Sequence, residues 1–297
     1  MSGTLRYEFG ENWKSFVHRA LDHERVARAI ASLRRILGVE HLDGKVFLDV
    51  GCGSGLFSLA AAQLGAARII AFDSDPQSIE ASRAVRASAR VSPDRWQIRE
   101  GSILDSAFLS EISSADVVYA WGVLHHTGAL WRALDRAAGK VAPEGSLALA
   151  IYNRQDRLIG GSTMWWHVKR LYNRSPAPLR RMMEAVHVGA LAGRELTRGR
   201  WPFRMRREYT GDDARGMEFW HDVRDWLGGF PYEYASVEEV TRYLEGRHRF
   251  VPEYVNPTRG YGCNEFRFRR PSAARQPDPS ASGAGTQRSG SPSRRGT

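Results

Sequence analysis

Between residues 45 and 152 the chain alternates two kinds of apolar pattern. "KVFLDV" (45–50) is a short continuous apolar run, as expected of a strand buried on both faces. "GLFSLAAAQLG" (55–65) has helical spacing and ends on Gly65, a suitable residue to follow a helix C-terminus. "RIIAFD" (68–73) is the second strand, and Pro76 sits where a first helical turn accepts proline, opening a helix to about Arg90. "RWQIRE" and "ADVVYAW" are the third and fourth strands. "LWRALDRAAGKV" is a helix, "APEG" a turn and "SLALAIY" a fifth strand. Strand-helix units of this length predict a parallel sheet with helices on both faces.

Three pieces lie outside this core. Residues 11–37 are patterned as an amphipathic helix with Phe16, Val17, Leu21, Ile30, Leu33 and Leu37 toward one side. Residues 154–207 read as two helices joined near "NRSPAPLR". "SVEEV" (236–240) has the capping-box spacing of Ser236 and Glu239, and "HRFVPEYV" and "NEFRFR" after it can close the sheet as an antiparallel pair. The expected division is a cap over 1–44, a core over 45–153, a helical insertion and substrate lid over 154–235, sheet again over 236–270, and a disordered tail over 271–297.

The first strand runs into Gly51, Gly53 and Gly55, residues that weaken any regular element. A tight turn that lets a ligand approach the backbone explains them better than a flexible hairpin, because Asp73 ends the next strand. A carboxylate there can take both hydroxyls of a ribose. Glycines followed by a distant acid suit a dinucleotide or S-adenosylmethionine. Asp49 tilts the choice, since a carboxylate before the first glycine repels a pyrophosphate but holds a cationic amino-acid group.

"LDVGCGSG", "FDSDPQSIEAS", "DVVYAWGVLHHTG" and "PEGSLALAIYN" in this order resemble the class I S-adenosylmethionine-dependent methyltransferases. The likeness is to the small-molecule branch that includes the ubiquinone-biosynthesis O-methyltransferases. It covers roughly 45–153. "YEFGENW", "HDVRDWLGGFPYEYA" and "GYGCNEFRF" resemble the lid and C-terminal signatures of one bacterial subgroup. The resemblance implies an α/β, Rossmann-like, doubly wound seven-stranded sheet, parallel with an antiparallel C-terminal strand, carrying an N-terminal helix and a helical insertion after the fifth strand. It implies S-adenosyl-L-methionine as cofactor, with Gly51, Gly53 and Gly55 around its methionine part, Asp49 organising the loop or amino group, and Asp73 on the ribose. Where such enzymes often place an acid for the adenine, this chain has Ser102, so that contact falls to Ser102 and Ile103.

Methyl transfer from a sulfonium depends mainly on alignment and requires no metal. A hydroxyl or amine acceptor can need a base, and His125 and His126 follow the fourth strand, at the edge where open α/β sheets place ligands. Tyr152 and Asn153 end the fifth strand on that edge and are expected to shape the acceptor pocket. Trp13 is a candidate to close over the cofactor, with a hydrophobic staple as its alternative. His221, Asp222 and Asp225 fall within about one helical turn, and His221 and Asp222 are taken as acceptor-site residues. The two cysteines, Cys52 and Cys263, form neither a disulfide framework nor a metal set.

Composition narrows the partners. At 297 residues and 42% hydrophobic content the chain can bury a large core, and it has neither a signal-peptide pattern nor an apolar run long enough to cross a bilayer. A cytoplasmic protein is expected. The net charge of +10 is local: residues 154–207 hold 13 Arg and Lys against 3 Asp and Glu. This segment reads as a lid packed on the domain over a small-molecule acceptor. RNA, held by Arg with Trp165, Trp166 and Tyr172, is a less favoured partner. A third reading, a non-catalytic cofactor-binding or membrane-associated protein, lays Leu179, Met182, Met183, Val186 and Ala190 on an anionic membrane. Oligomeric state is not readable from these patterns.

Overall fold

The computed structural model describes residues 23–197, 199, 219–258, 260 and 262–272. Trp13 and the tail beyond 272 lie outside the described residues, as do the side chains of His221, Asp222 and Asp225. Helix α1 (His23–Leu37) buries Ala29, Leu33, Ile36 and Leu37; of the stripe that the spacing predicts, Leu33 and Leu37 are buried, Ile30 is half-buried, and Phe16, Val17 and Leu21 lie outside the described residues. The core follows as β1 (Val46–Val50), α2 (Leu56–Gln63), β2 (Arg68–Asp73), α3 (Pro76–Ser88), β3 (Trp96–Glu100), α4 (Ser106–Ser110), β4 (Ala115–Trp121), α5 (Leu130–Gly139) and β5 (Val141–Tyr152). Helices α6 (Ser162–Arg174), α7 (Ala177–Thr197) and α8 (Phe219–Gly228) then interrupt the sheet. It resumes after α9 (Val237–His248) with β6 (Val251–Asn256) and β7 (Cys263–Arg269).

Local chemistry explains several boundaries. The Asp75 carboxylate accepts the Gln77 N–H ahead of Pro76, which starts α3. Ser236 and Glu239 form a complete capping box at α9. Asp105, between the third strand and α4, caps that short helix through the Ala107 and Phe108 N–H groups.

The seven strands are ordered β3-β2-β1-β4-β5-β7-β6. The first five are mutually parallel, and β7 runs antiparallel to both β5 and β6. "APEG" is not a turn between elements. It bulges out of one long β5, whose pairing with β4 passes from Ala115↔Val141 to Val117↔Ser146. Two apolar clusters sandwich the sheet: α4, α5 and α9 pack on one side, α1, α2 and α3 on the other. A third, smaller cluster of Trp165, Tyr172, Val223, Leu227 and Tyr232 joins α6, α7 and α8 and rests on Tyr152 at the end of β5.

Candidate active site

All the strand-end residues singled out in the core face the carboxyl edge of the parallel strands, where β1 and β4 diverge to opposite neighbours. The turn after β1 is fixed by the Gly51 and Cys52 N–H groups, which both donate to the Phe72 carbonyl at 2.8 and 3.1 Å. Gly51 lies at φ +68°, and a Cβ there would stand 2.5 Å from Val123 Cγ1. At Gly55, φ is +79° and a Cβ would stand 2.8 Å from Ser82 Oγ and 3.0 Å from Trp96. These glycines let the turn press against the loop after β4 and against α3; residues 52–55 are buried, and the Gly51, Cys52, Gly53 and Gly55 N–H groups are all bonded within the fold.

Two carboxylates bracket the turn. Asp73 Oδ2 accepts the Gly53 N–H and Oδ1 the Asp75 N–H, each at 3.0 Å. Asp49 is buried, and the Ser58 hydroxyl donates to its Oδ2 at 2.6 Å. Burial pushes the Asp49 carboxyl up to about 7; the Ser58 bond opposes this and the charge of Asp73 adds to it. The arrangement combines a close-packed glycine turn with negative potential, which suits a ligand carrying positive charge and vicinal hydroxyls. Ser102 follows β3 in the neighbouring loop, its hydroxyl accepting the Leu104 N–H at 3.1 Å, while the Ile103 side chain is part of the core.

On the acceptor side, a single turn of 3₁₀ helix (Leu124–His126) places both histidines beside Tyr152. His125 is 1% exposed, and its Nδ1 lies 3.4 Å from the Tyr152 N–H. Burial first, then the charges of His126 and Lys169, hold its imidazole well below the ordinary histidine range, so it is neutral. His126 Nδ1 is 2.7 Å from the Pro231 carbonyl oxygen. That contact assigns the proton to Nδ1 and makes Nε2 the basic nitrogen. Asn153 instead turns to the C-terminal strands: its Nδ2 donates to the Thr258 carbonyl at 2.8 Å and its Oδ1 accepts from Asn264 at 3.1 Å.

Sequence reasoning passed over two residues here. Lys169 is fully buried, with Nζ 4.4 Å from the Trp226 ring centre, 4.9 Å from Tyr232 and 5.5 Å from Tyr152, and it donates to the Trp226 carbonyl. A lysine on an amphipathic helix reads as a solvated charge, so only the aromatic density of "GGFPYEYA" hinted at its surroundings. Glu233 accepts the Leu130 N–H at 3.0 Å and caps α5 from about a hundred residues downstream. Burial pushes its carboxyl above the usual range, and the backbone N–H groups of Leu130, Gly128 and Ala129 oppose that. Its own N–H donates to the His125 carbonyl at 2.9 Å. Replacing Glu233 with Ala should therefore cost about 1–3 kcal/mol in a denaturant titration, because the α5 N-terminus loses its charged acceptor. Among the described residues no cluster of His, Cys, Asp or Glu is arranged to hold a metal.

A seven-stranded sheet with this order, a glycine turn after β1 and an acid ending β2 is the architecture that the resemblance to class I methyltransferases implied. The sequence matches the methyltransferase-domain family over residues 21–187, more than half of the chain, and the protein belongs to that family. Methyl transfer from S-adenosylmethionine is the chemistry of such domains. Ribosomal protein L11 methyltransferase of Pectobacterium carotovorum subsp. carotovorum is 60% identical over 42 residues, a match spanning 14% of each chain. Among solved structures, magnesium protoporphyrin IX methyltransferase from Synechocystis PCC 6803 aligns over 83% of this chain and 84% of its own, at 13% identity and a TM-score of 0.48. An O-methyltransferase family protein from Burkholderia thailandensis aligns over 84% of this chain at 15% identity and a TM-score of 0.46, and this chain spans 59% of its length.

Proposed function

We propose that the protein transfers a methyl group from S-adenosylmethionine to an oxygen or nitrogen atom of a small-molecule acceptor. The observation that carries the acceptor class is the roof over the strand edge. The α6–α8 cluster rests on Tyr152, and the 230–235 segment lies along the histidine turn through Pro231 and Glu233. An acceptor site roofed by this helical cluster suits a small molecule better than an extended polymer. A cavity of about 550 Å³ at the start of the insertion, lined by Gln155, Arg157, Thr163, Met164, His167 and Tyr234, shares no residue with the Tyr152, Trp226 and Tyr232 cluster, whose centre Lys169 fills.

The residues present fit the methyl donor. Gly51, Gly53 and Gly55 would cradle its amino-acid part, Asp49 would organise that loop or meet its amino group, Asp73 would take the ribose hydroxyls, and Ser102 and Ile103 would flank the adenine. When bound, it would supply a methyl carbon on a sulfonium. Tyr152 and its aromatic neighbours would cover the acceptor and exclude water. His126 Nε2 would take the proton that the acceptor atom gives up. Neutral His125 acts as a positioning residue, keeping Tyr152 and His126 in register. Trp13, His221 and Asp222 remain candidates for closing the two halves of the site.

Incubating the purified protein with methyl-labelled S-adenosylmethionine and fractionated cell extract tests the acceptor class. Label is expected in the small-metabolite or lipid fraction. Label confined to RNA or to ribosomal protein would overturn the small-molecule reading.

A further inference from the structure

Helix α7 has two apolar faces, and only one of them is covered. Met183 and Val188 pack into the cluster with α6 and α8, and buried Glu184 accepts from the Tyr172 hydroxyl at 2.7 Å and pairs with Arg224 at 3.5 Å. Spacing alone grouped Leu179, Met182, Met183, Val186 and Ala190 on one packed face. The structure divides them, because Met182 and Val186 point away from the cluster and are 57% and 66% exposed. With Gly189, Gly193 and Leu196 they lie within roughly 80° of one another around the helix, with no charged side chain in that stripe. Arg181 and Arg194 flank it, and Arg174 is exposed just before the helix.

We propose that the outward face of α7 seats the protein peripherally on an anionic bilayer. The inference goes beyond the methyl-transfer reading and does not depend on it. Charge complementarity selects the occupant. Around this face Arg174, Arg181 and Arg194 are exposed while Glu184 is buried, so a second copy would bring like charges together, whereas an anionic headgroup layer neutralises them. The middle of the stripe is aliphatic and offers nothing on which a nucleic-acid base can stack. Aliphatic side chains rimmed by arginine match the depth of the headgroup boundary. Among the described residues no helix is long and apolar enough to cross a membrane, so the contact is with one leaflet.

Flotation of the full chain with vesicles tests this. The protein should partition onto vesicles of phosphatidylglycerol and phosphatidylcholine in equal parts, and roughly tenfold less onto phosphatidylcholine alone. Arg174→Gln and Arg181→Gln should each weaken partition about fivefold. The double variant Met182→Ser/Val186→Ser should lose it, with melting temperature and S-adenosylmethionine affinity unchanged because both residues are exposed. Absence of partition onto the mixed vesicles would overturn the proposal, as would equal partition of the double variant. So would a dimer in centrifugation that the double variant dissolves, or binding to single-stranded RNA that exceeds vesicle binding.

Discussion

Replacing Asp49 with Asn should weaken S-adenosylmethionine binding roughly tenfold to a hundredfold, while stabilising the unliganded protein above neutral pH. Both effects come from one buried carboxylate. Burial raises its pKa to about 7, above the value of about 4 in an unfolded chain. Between these values the native state holds a proton that the unfolded chain has released. The stability contributed by that proton is fully present below about pH 4 and is lost as pH rises through about 7. Well above 7, ionised Asp49 costs on the order of 4 kcal/mol relative to its protonated form. Asn carries no such proton, so thermal melts of the variant should lose this component of the pH slope and exceed the wild type at about pH 8. Calorimetric affinity of the wild type for S-adenosylmethionine should rise through about pH 7, because the ionised carboxylate attracts the cationic amino group. S-adenosylhomocysteine, which keeps that amino group, should lose a similar factor on substitution. Unchanged affinity for both ligands would remove Asp49 from the charge recognition assigned to it.

Asp73→Ala should be damaging in a different way. The carboxylate holds the Gly53 and Asp75 N–H groups together, so its removal loosens the turn and also deletes the acceptor for the ribose hydroxyls. Loss of hydrogen bonds to a charged group is worth about 1.5–3 kcal/mol, or roughly a tenfold to hundredfold fall in affinity for both S-adenosylmethionine and S-adenosylhomocysteine. Unlike Asp49→Asn, the variant should be less stable than the wild type at every pH above the carboxylate range. Unchanged affinity in calorimetry would place the nucleoside elsewhere.

The parts of the fold legible in the sequence are those whose cause is local. The five core strands, the cap that begins at Asp75 and the capping box at Ser236 follow from short-range pattern and hydrogen bonding. The glycine turn was legible for the same reason, and Asp73, twenty residues after Gly53, was legible as the end of the next strand. What could not be read depends on neighbours distant along the chain. His125 is buried because the 230–235 segment and Tyr152 close over it, and nothing in "LHH" says so. Lys169 is inside because aromatic rings from α8 and β5 surround it. On α7 the periodicity fits two faces about equally well, and only the position of α8 decides which one is covered. Arg180, one of the basic residues of the 154–207 segment, is likewise engaged locally: its guanidinium binds the Tyr172, Asn173 and Ser175 carbonyls at the end of α6.

The strand order has a consequence for how the protein is made. Strand β7 is the last to leave the ribosome, yet it lies between β5 and β6 rather than at a rim. Tyr152 ends β5 about 110 residues before Cys263 begins β7, so β5 emerges with one flank unsatisfied and waits while the whole insertion is synthesised. The wait ends at both ends of the domain together, because Glu265 on β7 receives Arg35 of α1 at 2.8 Å and the Trp121 indole at 3.2 Å. A ribosome stalled before Cys263 would therefore display a half-closed sheet with an open edge and an α1 lacking its anchor. Such a nascent chain is a natural client for a chaperone that shields strand edges.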